Sequence, residues 1–238
     1  MELIGYIAAV LIGVSLGLIG GGGSILTVPV LVYLFGIDVE KAIPYSLFIV
    51  GMTSIFGTIS YFKNGWVDLQ KAILFGLPSI VMVLVARRYI LPIIPDEIFR
   101  FSTFVLTKNA LLMLLFAVTM LVAASSMIRK RKEELSTEKV STNYFAIISK
   151  GAMVGILTGF IGAGGGFLII PALVNFLKLP MKTAVGTSLL IIAANSLLGF
   201  VFSMSYTQIS WSFISTIAAI AILGIIIGSL LVKKIDGK

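Results

Sequence analysis

Gly20-Gly21-Gly22-Gly23-Ser24, a run between two apolar segments, decides how the chain is read, because a second version, Gly162-Ala163-Gly164-Gly165-Gly166, follows 142 residues later. Glycine costs about 1 kcal/mol against alanine in a helix interior. Four in succession within lipid-soluble sequence therefore predict unwound backbone. Inside a bilayer such backbone lines a cavity or a site.

Outward from these runs the chain is apolar. Of 238 residues, 58% are hydrophobic and 12% charged, with a mean hydropathy of +1.11, far from the soluble average. The apolar segments run well past ten residues without strand alternation, which gives an all-α polytopic protein of the cell membrane in place of an outer-membrane barrel. Met1 to Gly5 lacks a basic n-region, and the apolar stretch behind it recurs later, so it is expected to belong to the fold. Histidine and cysteine are absent, which removes disulfides, haem and the usual zinc or copper ligands; no cofactor or metal is expected. The net charge of +8 fits basic cytoplasmic loops or attraction of an anionic substrate. Its scatter between membrane segments argues against a nucleic-acid partner. No Gly-Lys-Ser/Thr follows either glycine run, which sets a nucleotide site aside.

In chain order, residues 3–19 read as a helix and 25–35 as a shorter one of about 17 Å, half a bilayer core. Spans are expected at 42–62, 69–91 and 102–128, with a polar link from Asp96 to Arg100. The basic stretch 129–143 separates a first membrane repeat, 1–128, from a second, 144–238. The second repeats the pattern: apolar to Ile161, a glycine run, a short piece 167–177, and spans at 183–203 and 211–232. Sliding residues 13–59 over 155–201 aligns Gly13, Gly17, Gly20, Gly22, Gly23, Pro29, Ala42, Ser46, Ser54 and Gly57 with identical residues. Glycines, a proline and serines in register indicate an internal duplication, a common plan of secondary transporters.

Each glycine segment can be a broken helix that crosses the membrane or a re-entrant hairpin that returns to its own side. With 129–143 inside, the hairpin arrangement puts twelve Lys and Arg in the cytoplasm (Lys63, Lys71, Arg129, Lys130, Arg131, Lys132, Lys139, Lys178, Lys182, Lys233, Lys234, Lys238) and four outside (Lys41, Arg87, Arg88, Arg100). The broken-helix arrangement gives seven against nine. The positive-inside rule thus favours two inverted repeats with paired hairpins.

At each run the following helix begins with free N–H groups and a partial positive charge, so an oxyanion can dock without a charged side chain. The candidate substrate-binding residues are Gly21, Gly22, Gly23 and Ser24 with Gly164, Gly165 and Gly166. Ser46, Thr187, Ser188 and Asn195 join them, because polar residues recur at matched positions in the spans that follow. The bland reading is that glycines allow close helix packing and hydroxyls back-bond to their own helix. Lys108 can face an anion path or snorkel to the surface. All ten acidic residues fall in loops or termini, which leaves no intramembrane carboxylate for a proton relay.

At these residues the chain resembles the TauE/SafE sulfite exporter family of membrane transporters for sulfur-containing anions. The resemblance rests on Gly17 to Gly23 with Val28-Pro29, Ala42 and Ser46, and on Gly159 to Gly166 with Ile170-Pro171, Ala184, Gly186, Thr187 and Ser188. It implies transport, often export, of sulfite, an organosulfonate or a related small anion. The family pattern also implies a further span after 211–232, matching 102–128, before which this sequence stops. Either that span is dispensable, or a neighbouring subunit of a homo-oligomer covers the face, or the chain is shortened.

The reading that results is a secondary transporter of a small oxyanion, embedded in a lipid bilayer. The alternatives are an anion channel of the same architecture or a membrane scaffold without transport. An enzyme is not expected, since no histidine, cysteine or buried acid offers a base or nucleophile.

Overall fold

A bilayer gives backbone groups no partner, so apolar segments satisfy their own N–H and C=O groups as helices. The computed structural model describes residues 2–95, 97–101, 104–128, 144–161, 165–204 and 208–232, and it is helical through most of them. The helices are α1 (Glu2–Ile19), α2 (Gly22–Tyr33), α3 (Val39–Lys63) and α4 (Leu69–Val85), which continues through a π-helical turn at Ala86–Ile90 into the short α5 (Leu91–Ile93). After a strand pair come α6 (Lys108–Ile128), α7 (Tyr144–Ile161), α8 (Gly166–Leu177), α9 (Met181–Ser203) and α10 (Trp211–Val232). Among the described residues, four helices are long and apolar enough to cross a bilayer: Val39–Lys63, Leu69–Ile90, Met181–Ser203 and Trp211–Val232. The protein is a multi-pass membrane protein.

Two expectations change. The polar link at 96–100 and the span from 102 give way to an antiparallel pair, β1 (Glu97–Phe101) and β2 (Phe104–Thr107), and α6 starts only at Lys108. Ile98, Phe99, Phe101, Phe104 and Val105 are residue types that favour a pleated ladder, and Pro92 and Pro95 discourage helix before it. The unwound stretch is also shorter than four glycines. Only Gly20 and Gly21 lie outside helix, while Gly22 and Gly23 form the first turn of α2, where free N–H groups cost least. The linker 129–143 lies outside the described residues.

The centre of the fold is the antiparallel pair α3 and α9. Leu47 meets Gly199, Gly51 meets Leu197 and Gly57 meets Leu189. On either side, α1 packs along α10 and α7 along α4, with glycine at the closest approaches. A Cβ on Gly17 would lie 2.8 Å from the carbonyl oxygen of Ile225, and one on Gly159 would lie 3.1 Å from that of Val83. Small residues permit such backbone approach between membrane helices.

Contacts recur at the 142-residue spacing. The N–H of Ile37 bonds Leu31 O at 3.1 Å and that of Leu179 bonds Leu173 O at 3.3 Å. One apolar cluster joins Leu31, Ala42, Ile214 and Ile217, and another joins Leu173, Ala184, Ala72 and Phe75. Between the clusters each partner is exchanged for the residue 142 positions away.

The outside is apolar and the inside holds the polar groups. Leu69, Ile73, Leu77 and Val81 form an exposed stripe on α4, and Leu223, Ile227 and Leu230 one on α10, as lipid contact requires. Ser24, Thr27, Ser46, Thr53, Ser54, Ser79, Thr187, Ser188, Asn195 and Ser196 are buried.

Candidate functional site

The turn after α1 is made by Gly20, whose φ of 78° lies in the left-handed region that glycine enters without a Cβ penalty. It sends α2 back along α1: Gly23 packs on Ile12 and Leu16, and Phe35 returns to Gly5 and to Tyr6, with ring centroids 5.6 Å apart. In the second half Gly165 has φ 66° and packs against Thr158. There α8 also doubles back, since Lys150 Nζ of α7 lies 4.2 Å from the centroid of the Phe176 ring.

The two glycine turns meet. A Cβ on Gly166 would fall 2.9 Å from Gly21 Cα, and one on Gly21 would collide with the backbone of Gly166 and Phe167. Gly20, Gly21, Gly165 and Gly166 are all buried. The first turns of α2 and α8 thus come together, each with the positive end of its helix dipole at the contact.

The other expected site residues divide. Ser24 is buried at the turn, but its Oγ donates to Gly21 O at 2.7 Å, so the hydroxyl closes the turn. Ser188 Oγ donates to Val185 O at 2.8 Å and sits 3.1 Å from where a Cβ on Gly20 would be, so it borders the contact. Ser46 Oγ donates to Ile43 O at 2.7 Å. Thr187 faces elsewhere: its Oγ1 accepts the N–H of Asp68 at 3.0 Å and ties α9 to the turn between α3 and α4. Asp68 is itself the N-cap of α4, accepting the N–H of Lys71 at 3.0 Å. Gly164 lies outside the described residues.

Asn195 lies deeper along α9. Its Nδ2 donates to Ser79 Oγ of α4 at 3.2 Å, while Oδ1 is shielded and finds no partner among the described residues. The hydroxyls of Ser54 and Ser196, 142 positions apart, are shielded and unpartnered in the same way. Unsatisfied buried oxygens are rare in proteins and call for an explanation, a bound water or ion among them.

A second feature lies toward the C-terminal ends of α4 and α9. A cavity of about 510 Å³ is lined by Leu84, Arg87, Arg88, Leu91, Lys108, Phe202 and Ser203. The sequence reading used Arg87 and Arg88 only to orient the chain. The signal for more was present in two adjacent arginines placed before the apolar stretch ends.

Comparison with known proteins places the chain among membrane transporters. The family profile described as "Sulfite exporter TauE/SafE" matches residues 5–238. A "Probable membrane transporter protein" of Xylella fastidiosa (strain Temecula1) is 30% identical over 234 residues, covering 95% of this chain and 83% of the relative. The "Probable membrane transporter protein YunE" of Bacillus subtilis is 28% identical over 248 residues, covering 98% and 90%. The "Probable membrane transporter protein MJ0441" of Methanocaldococcus jannaschii is 28% identical over 204 residues, covering 82% and 69%. No solved structure matches the chain.

Proposed function

Because the chain belongs to the sulfite exporter TauE/SafE family of membrane transporters, we propose that it is a secondary transporter of a small oxyanion, such as sulfite or an organosulfonate, bound where the two glycine turns meet. The observation that carries this is the buried contact of Gly21 with Gly166, which gathers two helix N-termini in the membrane interior. Converging N-termini offer unpaired N–H donors and about half a positive charge each.

The same reading makes 1–128 and 144–238 two inverted repeats flanking the 129–143 linker. Three observations support it: α3 and α9 are antiparallel, α1 on α10 mirrors α7 on α4, and hydrogen bonds recur 142 residues apart. The outer ends of α1 and α2 then lie on the face of Arg87 and Lys41. Those of α7 and α8 lie on the face of Lys63 and Lys71, and the glycine turns enter as re-entrant hairpins from opposite sides. In this conformation the turns are in backbone contact, so an anion enters between them only as the halves rock apart, which suits alternating access and not a standing channel.

Purified protein in proteoliposomes tests the proposal. Saturable uptake of labelled sulfite or taurine, with counterflow against unlabelled anion, is expected. Ionic currents far above carrier turnover, or neither uptake nor current across a panel of sulfur oxyanions, sulfonates and carboxylates, would refute it.

A further inference from the structure

The cavity beside the π-helical turn has a lining suited to an anion. Its wall carries the cations Arg87, Arg88 and Lys108 and the hydroxyl of Ser203, and none of its lining residues is acidic. At about 510 Å³ it falls within the range of small-molecule pockets. Leu84, Leu91 and Phe202 give it an apolar side. The chemistry fits an oxyanion head with an apolar body.

The backbone is adapted to this place. Ala86–Ile90 is a π-helical turn, a form that occurs mostly as single turns and often at functional positions. Arg87 Nη1 donates to Ser203 Oγ at 3.2 Å, and Ser203 Oγ in turn donates to Gly199 O at 2.8 Å. The guanidinium lies against Gly199, where a Cβ would be in ordinary contact, 3.7 Å from Arg87 Cζ and Nη1. Arg87 Nε is shielded from solvent and has no partner among the described residues. A guanidinium presents its donors as a planar fork suited to oxyanions, and this one keeps a shielded donor unused.

Snorkelling alone does not account for the arrangement. A side chain that only snorkels holds its charged head in water or headgroups, whereas Arg87 turns inward onto α9. Nor is the feature a requirement of helix packing. The residues 142 positions on from Arg87 and Arg88 are Ser229 and Leu230, within regular α10. The π turn and its charges therefore occur at one of two corresponding places.

We propose that Arg87, Arg88 and Lys108 form an oxyanion-binding site at the end of α4 opposite its Asp68 cap, separate from the glycine-turn contact. From Ser188 to Ser203 along α9 is about 22 Å by helix rise, so the proposal stands whether or not an anion docks at the glycine turns. The oxyanion is either a soluble anion or the headgroup of an anionic lipid.

Two binding measurements on the full chain distinguish these sources. In detergent, titration with propane-1-sulfonate and with sulfate reads soluble anions. In nanodiscs, native mass spectrometry with phosphatidylglycerol against phosphatidylcholine reads the headgroup. Arg87→Gln is expected to weaken whichever binding is present by about tenfold or more, as loss of a charge-assisted fork implies. Lys108→Gln, which breaks no internal side-chain hydrogen bond among the described residues, provides the same reading should Arg87→Gln fail to fold. Loss confined to the sulfonate and sulfate titration identifies a soluble ligand, and loss confined to phosphatidylglycerol identifies a headgroup. No binding in either measurement, or binding unaffected by Arg87→Gln and Lys108→Gln, overturns the proposal.

Discussion

Gly21 and Gly166 touch through their backbones: a Cβ on Gly166 would stand 2.9 Å from Gly21 Cα, and one on Gly21 would run into the Gly166 carbonyl group. Even alanine at Gly21 must push the turns apart or tilt α8. Overpacking of this kind costs about 1–3 kcal/mol. Gly21→Ala is therefore expected to lower thermal stability modestly and to reduce anion uptake at least ~10-fold in proteoliposomes, since one methyl group holds open a contact the transport cycle must close. Unchanged uptake would show that the contact takes no part in transport.

The exchange of partners at 142-residue spacing makes a prediction that needs no substrate. Leu47 meets Gly199, and Leu189 meets Gly57. In a protein without native cysteine, Leu47→Cys with Gly199→Cys, and separately Gly57→Cys with Leu189→Cys, should each give an internal disulfide on mild oxidation. The control pair Leu47→Cys with Gly57→Cys should not, since both lie on α3 nearly three turns apart. Mobility on non-reducing gels reads the result, and cross-linking of the control alone would contradict the antiparallel pairing of α3 and α9.

Helix positions were legible because glycine, proline and charge punctuate an otherwise apolar chain. The spans at 211–232 and from Tyr144 to Ile161 agree with α10 and α7 to the residue. The contact of the two turns was legible in outline, because duplicated glycine runs have few other reasons to exist. The extent of unwinding was not, since Gly22 and Gly23 enter α2 once its first turn supplies them with helical geometry. The strand pair at 97–107 was hidden because aromatic and β-branched residues also suit a membrane helix. The role of Arg87 was hidden for a different reason: a charge near the end of a span reads as orientation, and only the π turn directs its guanidinium toward Ser203.

Thr187 shows how the structure separates residues that sequence symmetry groups together. Its hydroxyl accepts the Asp68 N–H, so Thr187→Val removes a part-buried hydrogen bond worth about 1 kcal/mol and frees the turn between α3 and α4 from α9. A fall in Tm of a few degrees is expected with little change in KM for the transported anion, and Thr187→Ser should restore the Tm. A large rise in KM at unchanged Tm would return Thr187 to the binding site.

Ser196 and Ser54 offer the opposite test. Their hydroxyls are shielded and unpartnered, and both lie within a turn of the place where Gly51 meets Leu197 across α3 and α9. An unmet buried hydroxyl costs about 1–3 kcal/mol, so removing it should help a protein that only needs to fold. Ser196→Ala and Ser54→Ala are accordingly expected to hold or raise Tm. If these oxygens receive the anion's hydration water as the turns part, the same substitutions should lower uptake several-fold, giving a variant more stable and less active, the trade-off seen where function retains strained or unsatisfied groups. Asn195→Leu should act alike on uptake but lower Tm, because it also breaks the bond from Nδ2 to Ser79. Thermal unfolding and uptake measured on the same preparations separate the two effects. A loss of stability in both serine variants would mean that their hydroxyls already have partners, and full uptake in all three would remove this level of α3 and α9 from the anion's path.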